Sequence, residues 1–194
     1  MPNPTLKMDS VTVLDKDSDG VHFKNSLIHS STTFPAGHIL QAVNHKQGSG
    51  TSLNANSTDW KGTGFGKSIT LSSASHKVLI LVSINGYQGN QGQFYSFNLY
   101  RHTAAFTANG SVSGTQLFNN GRGFGTIYGN TGDRFANVSA SLIDSPETTT
   151  EIYYNVCHKE EGGQGIYDGY NQDSTITLLA VSYTHLTLPT NREV

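Results

Sequence analysis

The chain is poor in charge: Asp, Glu, Lys and Arg make up 13% of its 194 residues, and the formal net charge is -2. An ordinary globular domain carries about 25%. Without a basic field nothing is available to hold a phosphate backbone, so no nucleic-acid partner is expected. There is a single cysteine, Cys157, which excludes an internal disulfide framework and any multi-cysteine metal site. No apolar run approaches the ~18 residues that a membrane-spanning helix needs, so no membrane insertion is expected. Met1-Pro-Asn-Pro4 lacks the basic start and apolar core of a signal peptide. Helical periodicity is almost absent, and the eight histidines show no His-Glu-x-x-His or similar ligand spacing. Stability must therefore come from packing, within the chain or across subunits.

What is abundant is Gly, with 21 residues, together with Ser, Thr and Asn. That composition suits a turn-rich β protein, and strand patterns follow one another along the chain. Lys77 to Ile84 is a near-continuous apolar run with Val78, Ile80, Val82 and Ile84 on one face and Leu79 and Leu81 on the other, the pattern of a strand covered on both sides. Gln93 to Arg101 alternates, with Tyr95, Phe97 and Leu99 inward and Phe94, Ser96, Asn98 and Tyr100 facing the other way. Val138, Ala140 and Leu142 repeat the pattern, as do Ile152, Tyr154 and Val156, and then Ile176 and Leu178. With strands at Ile39 to Val43, Trp60 to Ile69 and Phe124 to Tyr128, the count is about eight to ten. The expected fold is all-β, a two-sheet jelly-roll-type β-sandwich with a short N-terminal stalk or linker.

Residues 1–36 form that stalk. They are polar, carry the short apolar pairs Val11/Val13 and Val21/Phe23, and end at Thr33-Phe-Pro-Ala-Gly37, where proline interrupts a ladder. Their β segments are suited to pairing with copies of themselves in an oligomer. Residues 37–180 form the sandwich head. Residues 181–194 read differently: Val181-Ser-Tyr-Thr-His-Leu-Thr-Leu-Pro-Thr190 is similar to the in-frame translation of a transposase-type sequencing adapter. This reading makes them a non-native tail after a native end at Leu179, with no partner selected to fit it from Ser182 onward. Such a tail also marks an environmental read and directs attention to microbial and viral families.

Motifs with chemistry are few. Asp15-Lys-Asp17-Ser-Asp19-Gly20 matches the first half of a calcium loop, but position twelve is Ser26 where a bidentate Glu is required. Asp15, Asp17 and Asp19 are read as a solvated turn, and no metal or other cofactor is expected. Cys157 and His158 are strand neighbours and point to opposite faces, so they cannot pair as thiolate and base, and Cys157 is read as a buried or half-buried free thiol. Gly62 to Gly66 and Gly121 to Gly125 are Gly-rich but open no helix, and read as turns or bulges. Among the carboxylates Asp144, Glu147, Glu151, Asp168 and Asp173, spacing singles out no hydrolytic pair, and the chain is expected not to be an enzyme. The positive signal is aromatic. Tyr87, Tyr128, Tyr167 and Tyr170 sit among glycines and polar side chains, with Asp168 and Asn171 beside the last two. Rings next to hydrogen-bonding groups suit stacking on sugars or gripping a protein surface, or else pack loops onto the sandwich. Such sites are expected in the loops Gln47 to Ser57, Gly86 to Gly92, Thr107 to Thr115, Gly129 to Arg134 and Glu160 to Gly169.

Phe34-Pro-Ala-Gly-His-Ile-Leu-Gln41, Thr58-Asp-Trp60, Ser68 to Ser75 with Lys77-Val-Leu-Ile80, Leu142-Ile-Asp-Ser-Pro146 and Ser174 to Leu179 follow in an order that resembles tail-fibre-like or other virion structural proteins of marine and environmental phages. The resemblance covers residues 34–179 and implies a β-sandwich head, similar in shape to trimeric C1q/TNF-like heads, used in attachment or assembly. It implies no catalytic residue. The resulting expectation is a virion component that forms a homotrimer, contacts other virion proteins and meets a host cell-surface glycan or protein. The alternative is a carbohydrate-binding module of a bacterial extracellular protein.

Overall fold

The computed structural model describes residues 6–8, 11–17, 20–23, 37–47, 53–54, 57–89, 92–130, 134–162, 165–167 and 173–182. The chain divides into two units, Met1–Phe34 and Pro35–Val194. In the first unit β1 (Leu6–Met8), β2 (Val11–Asp17) and β3 (Gly20–Phe23) form an antiparallel sheet in the order β1-β2-β3. The short apolar segments of this unit pair with one another within the chain.

In the second unit the alternating segments become the long strands. The first sheet has β4 (Ile39–Gln47), β14 (Ser174–Val181), β7 (Lys77–Gln88) and β11 (Arg134–Asp144) side by side, with β13 (Gly165–Tyr167) and β5 (Leu53–Asn54) extending from the far end of β7. The second has β10 (Gly125–Tyr128), β8 (Phe94–His102), β12 (Ile152–Glu161) and β6 (Lys61–Ile69) in that order, with β9 (Thr115–Gln116) beside β8. All pairings are antiparallel. The eight long strands cross repeatedly between the two sheets, as in a double-sheet jelly roll. Eleven strands, β4 to β14, are described in this unit. The count exceeds the sequence reading because β5, β9 and β13 are two- or three-residue ladders inside segments that read as loops.

One hydrophobic core lies between the sheets. It is built from Val78, Ile80, Val82 and Ile84 of β7, Tyr95, Phe97 and Leu99 of β8, Ile152, Tyr154 and Val156 of β12, and Ile176 and Leu178 of β14. These are the inward positions that period-two alternation assigns. The outward positions depart from expectation in two ways. On β7, Leu81 is 41% exposed, so the outer face of that strand is open at its middle. On β8, Ser96, Asn98 and Tyr100 are buried, because residues 103–124 fold back over the second sheet. Tyr100, Phe106 and Cys157 make a second small core there with Trp60 and Val112. Buried amides fix the excursion: Asn98 Nδ2 donates to the Phe118 carbonyl at 3.1 Å, and Asn155 accepts from Phe106 N at 2.9 Å and donates to the Ala104 carbonyl at 3.1 Å.

Glycine meets a geometric demand in both Gly-rich segments. Gly66 lies inside β6, where a Cβ would stand 2.5 Å from the Tyr154 carbonyl oxygen, near the bulge at Asn155/Cys157. Gly123 has φ +65° in a turn pressed against the Phe97 carbonyl.

β14 runs to Val181, and Ser182 follows it among the described residues. Val181 completes β14, opposite Ile39 and Lys77. Ser182 is buried: its N donates to His38 O at 2.8 Å, its carbonyl accepts from Gly37 N at 2.8 Å, and its hydroxyl accepts from His38 N at 3.0 Å. Ser182, expected to have no partner, thus ties the last sandwich strand to the residues preceding the first; residues 183–194 lie outside the described set. Deleting 182–194 is expected to lower stability by roughly 1–3 kcal/mol through the lost hydrogen bonds, whereas a chain truncated after Ser182 keeps them. Thermal melts of the two truncations should differ, and identical melting temperatures would show that the anchor contributes nothing.

Candidate functional site

The tyrosines singled out by sequence do not form one site. Tyr87 is a strand residue of β7, paired with Phe135 on one side and Ile166 on the other. Its ring is only 8% exposed and packs 4.9 Å from that of Phe135, so it is a packing residue and not a loop ring. Tyr128 ends β10, is 47% exposed and lies 4.7 Å from Phe94. Alternation places Tyr87 on the outer face of the first sheet and Tyr128 on the outer face of the second, which separates them by the thickness of the sandwich. Tyr167 pairs through its backbone with Gly86 and Leu53. Asp168, Tyr170 and Asn171 lie outside the described residues. Of the acidic trio in the first unit, Asp15 and Asp17 belong to β2, opposite His22 and Gly20 of β3. Asp19 lies outside the described residues.

Sequence reasoning missed the surroundings of Tyr128, because they are assembled by register across three strands. Tyr128 and Glu161 flank Phe94 in one cross-strand row, and Thr126 and Lys159 flank Ser96 in the next. The Arg122 guanidinium carbon sits 3.5 Å from the Phe94 ring centroid, and Arg122 Nη1 is 3.3 Å from Glu161 Oε1. Thr126 Oγ1 lies 3.0 Å from Ser96 Oγ and donates to the Arg122 carbonyl at 3.3 Å. The outcome is a surface cluster of two tilted rings, one cation stacked on Phe94 and one carboxylate.

A second surface lies on the outer face of the first sheet. Ser83, Ser139, Ser141, Thr175 and Thr177 line a shallow groove of about 410 Å³ with Leu81. Several of the polar groups here bond one another: Asn137 Nδ2 donates to Ser83 Oγ at 2.8 Å, Ser139 Oγ donates to Asn137 Oδ1 at 2.7 Å, and Asn44 Nδ2 donates to Thr177 Oγ1 at 2.8 Å. Beside them Ile143 and Leu179 flank Leu79 in register, and Val181 pairs with Ile39. Among the described residues five large apolar side chains stand exposed, and four of them lie on this face: Ile39 at 56%, Leu81 at 41%, Phe135 at 46% and Ile143 at 61%.

The strongly perturbed titratable groups are interior. His158 bridges Tyr95 Oη at 2.6 Å and Asn109 Oδ1 at 3.1 Å, and burial pulls its pKa down to about 4. Cys157, on the opposite face of β12, is a buried free thiol whose pKa burial pushes up, as alternation requires. Arg101 Nη1 and Tyr154 Oη each donate to Asp144 Oδ2 at 2.7 Å. Burial and then the Asp144 carboxylate push the Tyr154 pKa up. Asp144 thus spans the two sheets as an interior ion pair, while Asp173 makes a surface pair with Lys46 at 2.7 Å.

No protein-family model matches the chain, and no curated protein does. Among solved structures it is similar to the infectious bursal disease virus Gx strain, at 16% identity and a TM-score of 0.30, covering 78% of this chain and 34% of that one. For the Gt strain of the same virus the values are 13%, 0.31, 90% and 47%. A mutant VP2 protein of that virus in derived T=1 particles gives 13%, 0.25, 80% and 40%. The chain spans less than half the length of each.

Proposed function

We propose that this chain is a non-enzymatic structural component of a phage virion, of the tail-fibre or receptor-binding type. It assembles as a homotrimer and meets a host-surface glycan or protein. The observation that carries the proposal is the collection of exposed Ile39, Leu81, Phe135 and Ile143 on one sheet face, whose neighbouring hydroxyls and amides partly bond one another. A face whose polar groups partly bond one another loses less polar hydration when covered, and burying its apolar part contributes about 25 cal/mol per Å². A copy of this chain offers the same apolar and hydroxyl-rich surface. The groups with shifted pKa values, His158, Cys157, Tyr154 and Tyr100, are all buried and engaged in packing or hydrogen bonds, which suits a scaffold better than a reaction centre. Repetition around an axis would then convert weak host contacts into avid attachment.

Light scattering after size exclusion should give three chains per particle. Introducing two carboxylates, Leu81→Asp with Ile143→Asp, should weaken association by roughly a hundredfold, since charge buried without a partner costs several kcal/mol. A monomer at all micromolar concentrations, or a trimer unaffected by the double substitution, sinks the assembly. A monomer that still binds sugar moves the chain to the carbohydrate-binding-module reading.

A further inference from the structure

We infer that the outer face of the second sheet, at the end where β10, β8 and β12 bring Tyr128, Phe94 and Glu161 into one row, is a carbohydrate-binding platform for a neutral pyranose with a free vicinal diol. The inference rests on the attachment reading only for the biological source of the sugar, a host-surface polysaccharide.

The chemistry follows from what stands side by side. Tyr128 presents an exposed ring, an apolar plane suited to the C–H face of a sugar. Across Phe94 from it stand Arg122, over the Phe94 ring, and Glu161, two strands away in the same row, each with its side chain partly open to solvent, at 43% and 38%. A guanidinium is donor-only and an ionised carboxylate acceptor-only. The ligand that satisfies both from adjacent atoms carries groups that donate and accept at once, beside an apolar face. Two neighbouring ring hydroxyls on a pyranose have that character: one accepts from Arg122, and both can donate to Glu161. A simple anion would engage Arg122 but be repelled by Glu161, and a simple cation the reverse. The row extends over three strands spaced ~4.8 Å apart, so the aromatic and charged parts of the platform fall within reach of a single sugar and its linkage.

The platform is also ordered before any ligand arrives. Arg122 is held from below by the Phe94 ring at 3.5 Å, from the side by Glu161 at 3.3 Å, and at its own carbonyl by Thr126. Ser96 in turn holds Thr126. Groups already fixed in position lose less freedom on binding. Because the cluster is open to water, a single sugar binds weakly.

The test is saturation-transfer NMR on the full chain with methyl glucopyranoside, methyl galactopyranoside and methyl mannopyranoside at millimolar concentration. Transfer to ring C–H protons of at least one of them is expected. Tyr128→Ala should weaken it roughly tenfold, and Glu161→Gln should weaken it severalfold while leaving the aromatic pair in place. Glu151→Gln, an exposed residue just before β12 and at the far end of that strand from Glu161, should leave it unchanged. Absence of transfer to all three sugars, or transfer indifferent to both platform substitutions, overturns the inference. Free monosaccharides report on one protomer at a time, so the outcome is independent of oligomeric state. A monomer that binds them sinks the trimer and keeps the platform, and a trimer that binds none keeps the assembly and sinks the platform.

Discussion

Phe97→Ala should cost about 3–5 kcal/mol of folding stability, the range for removing a fully buried aromatic side chain and leaving a cavity. Phe97 has no solvent exposure and packs edge-on to Tyr95 at 4.7 Å. Its strand neighbours are Gly125 of β10 and His158 of β12. A Cβ on Gly86 would stand 2.8 Å from both the Phe97 ring and the Ile127 side chain, so Phe97 reaches across the core to the first sheet. Truncating it removes contacts from both sheets at once, and the ladders on either side of β8 limit how far the gap can collapse. Leu81→Ala is the comparison, because Leu81 belongs to an equally apolar run but is 41% exposed. Its cost in the dissociated chain should stay within about 1 kcal/mol. Urea unfolding of both variants measures the contrast; a loss below ~1 kcal/mol for Phe97→Ala would show that the core repacks freely.

Acidification from pH 7 to pH 4 should remove about 3 kcal/mol through His158 alone, the energy equivalent of a pKa lowered from its ordinary 6.5 to about 4. The Asn109 amide oxygen faces Nε2 at 3.1 Å, which places the ring proton there and leaves Nδ1 to accept from the Tyr95 hydroxyl at 2.6 Å. Protonating Nδ1 would make the Tyr95 hydroxyl turn from donor to acceptor and would leave a cation in a buried site. Above pH 6.5 both folded and unfolded chains hold a neutral His158, and this contribution is complete. Between pH 6.5 and 4 the unfolded chain takes up a proton that the folded one refuses, so stability falls as pH falls. Carboxylates begin to titrate near the lower end of this window, so the measurement is a difference: melting temperature against pH for the native chain and for His158→Gln. The native curve should be steeper, and equal slopes would remove His158 from the explanation.

The fold was legible because its strands alternate. Val78 to Ile84, Tyr95 to Leu99, Ile152 to Val156 and Ile176 to Leu178 carry inward apolar residues at every second position, and those residues form the core. What alternation cannot reveal is what covers the other face. Ser96, Asn98 and Tyr100 look like outward residues, and only the return of residues 103–124 across the second sheet buries them. The same limit governed the tyrosines. Gly86 beside Tyr87 resembles a loop glycine, yet it is a strand position kept free of a side chain because Phe97 and Ile127 occupy the space. Tyr128 was recognisable as a candidate, but Phe94, Arg122 and Glu161 stand 34, 6 and 33 residues from it in the chain and are joined only by strand register and the fold of residues 103–124. The apolar face was hidden for a similar reason, since Ile39, Leu81, Phe135 and Ile143 come from three separate strands.

The place of β14 sets the order in which the sandwich can be made. β14 lies between β4 and β7, its register running from Ser174 opposite Gln47 to Val181 opposite Ile39. On a ribosome, β4 therefore emerges more than 100 residues before the strand that joins it to the sheet. The pairs within β8, β10 and β12 can form earlier, but the first sheet lacks its central strand until Val181 has left the exit tunnel. Closure of the head is then a late, long-range step, of the kind that slows folding and leaves strand edges open meanwhile. For a protein whose exposed apolar residues lie on that same sheet, the interval between synthesis and closure is when self-association is least selective, and assembly has to follow folding.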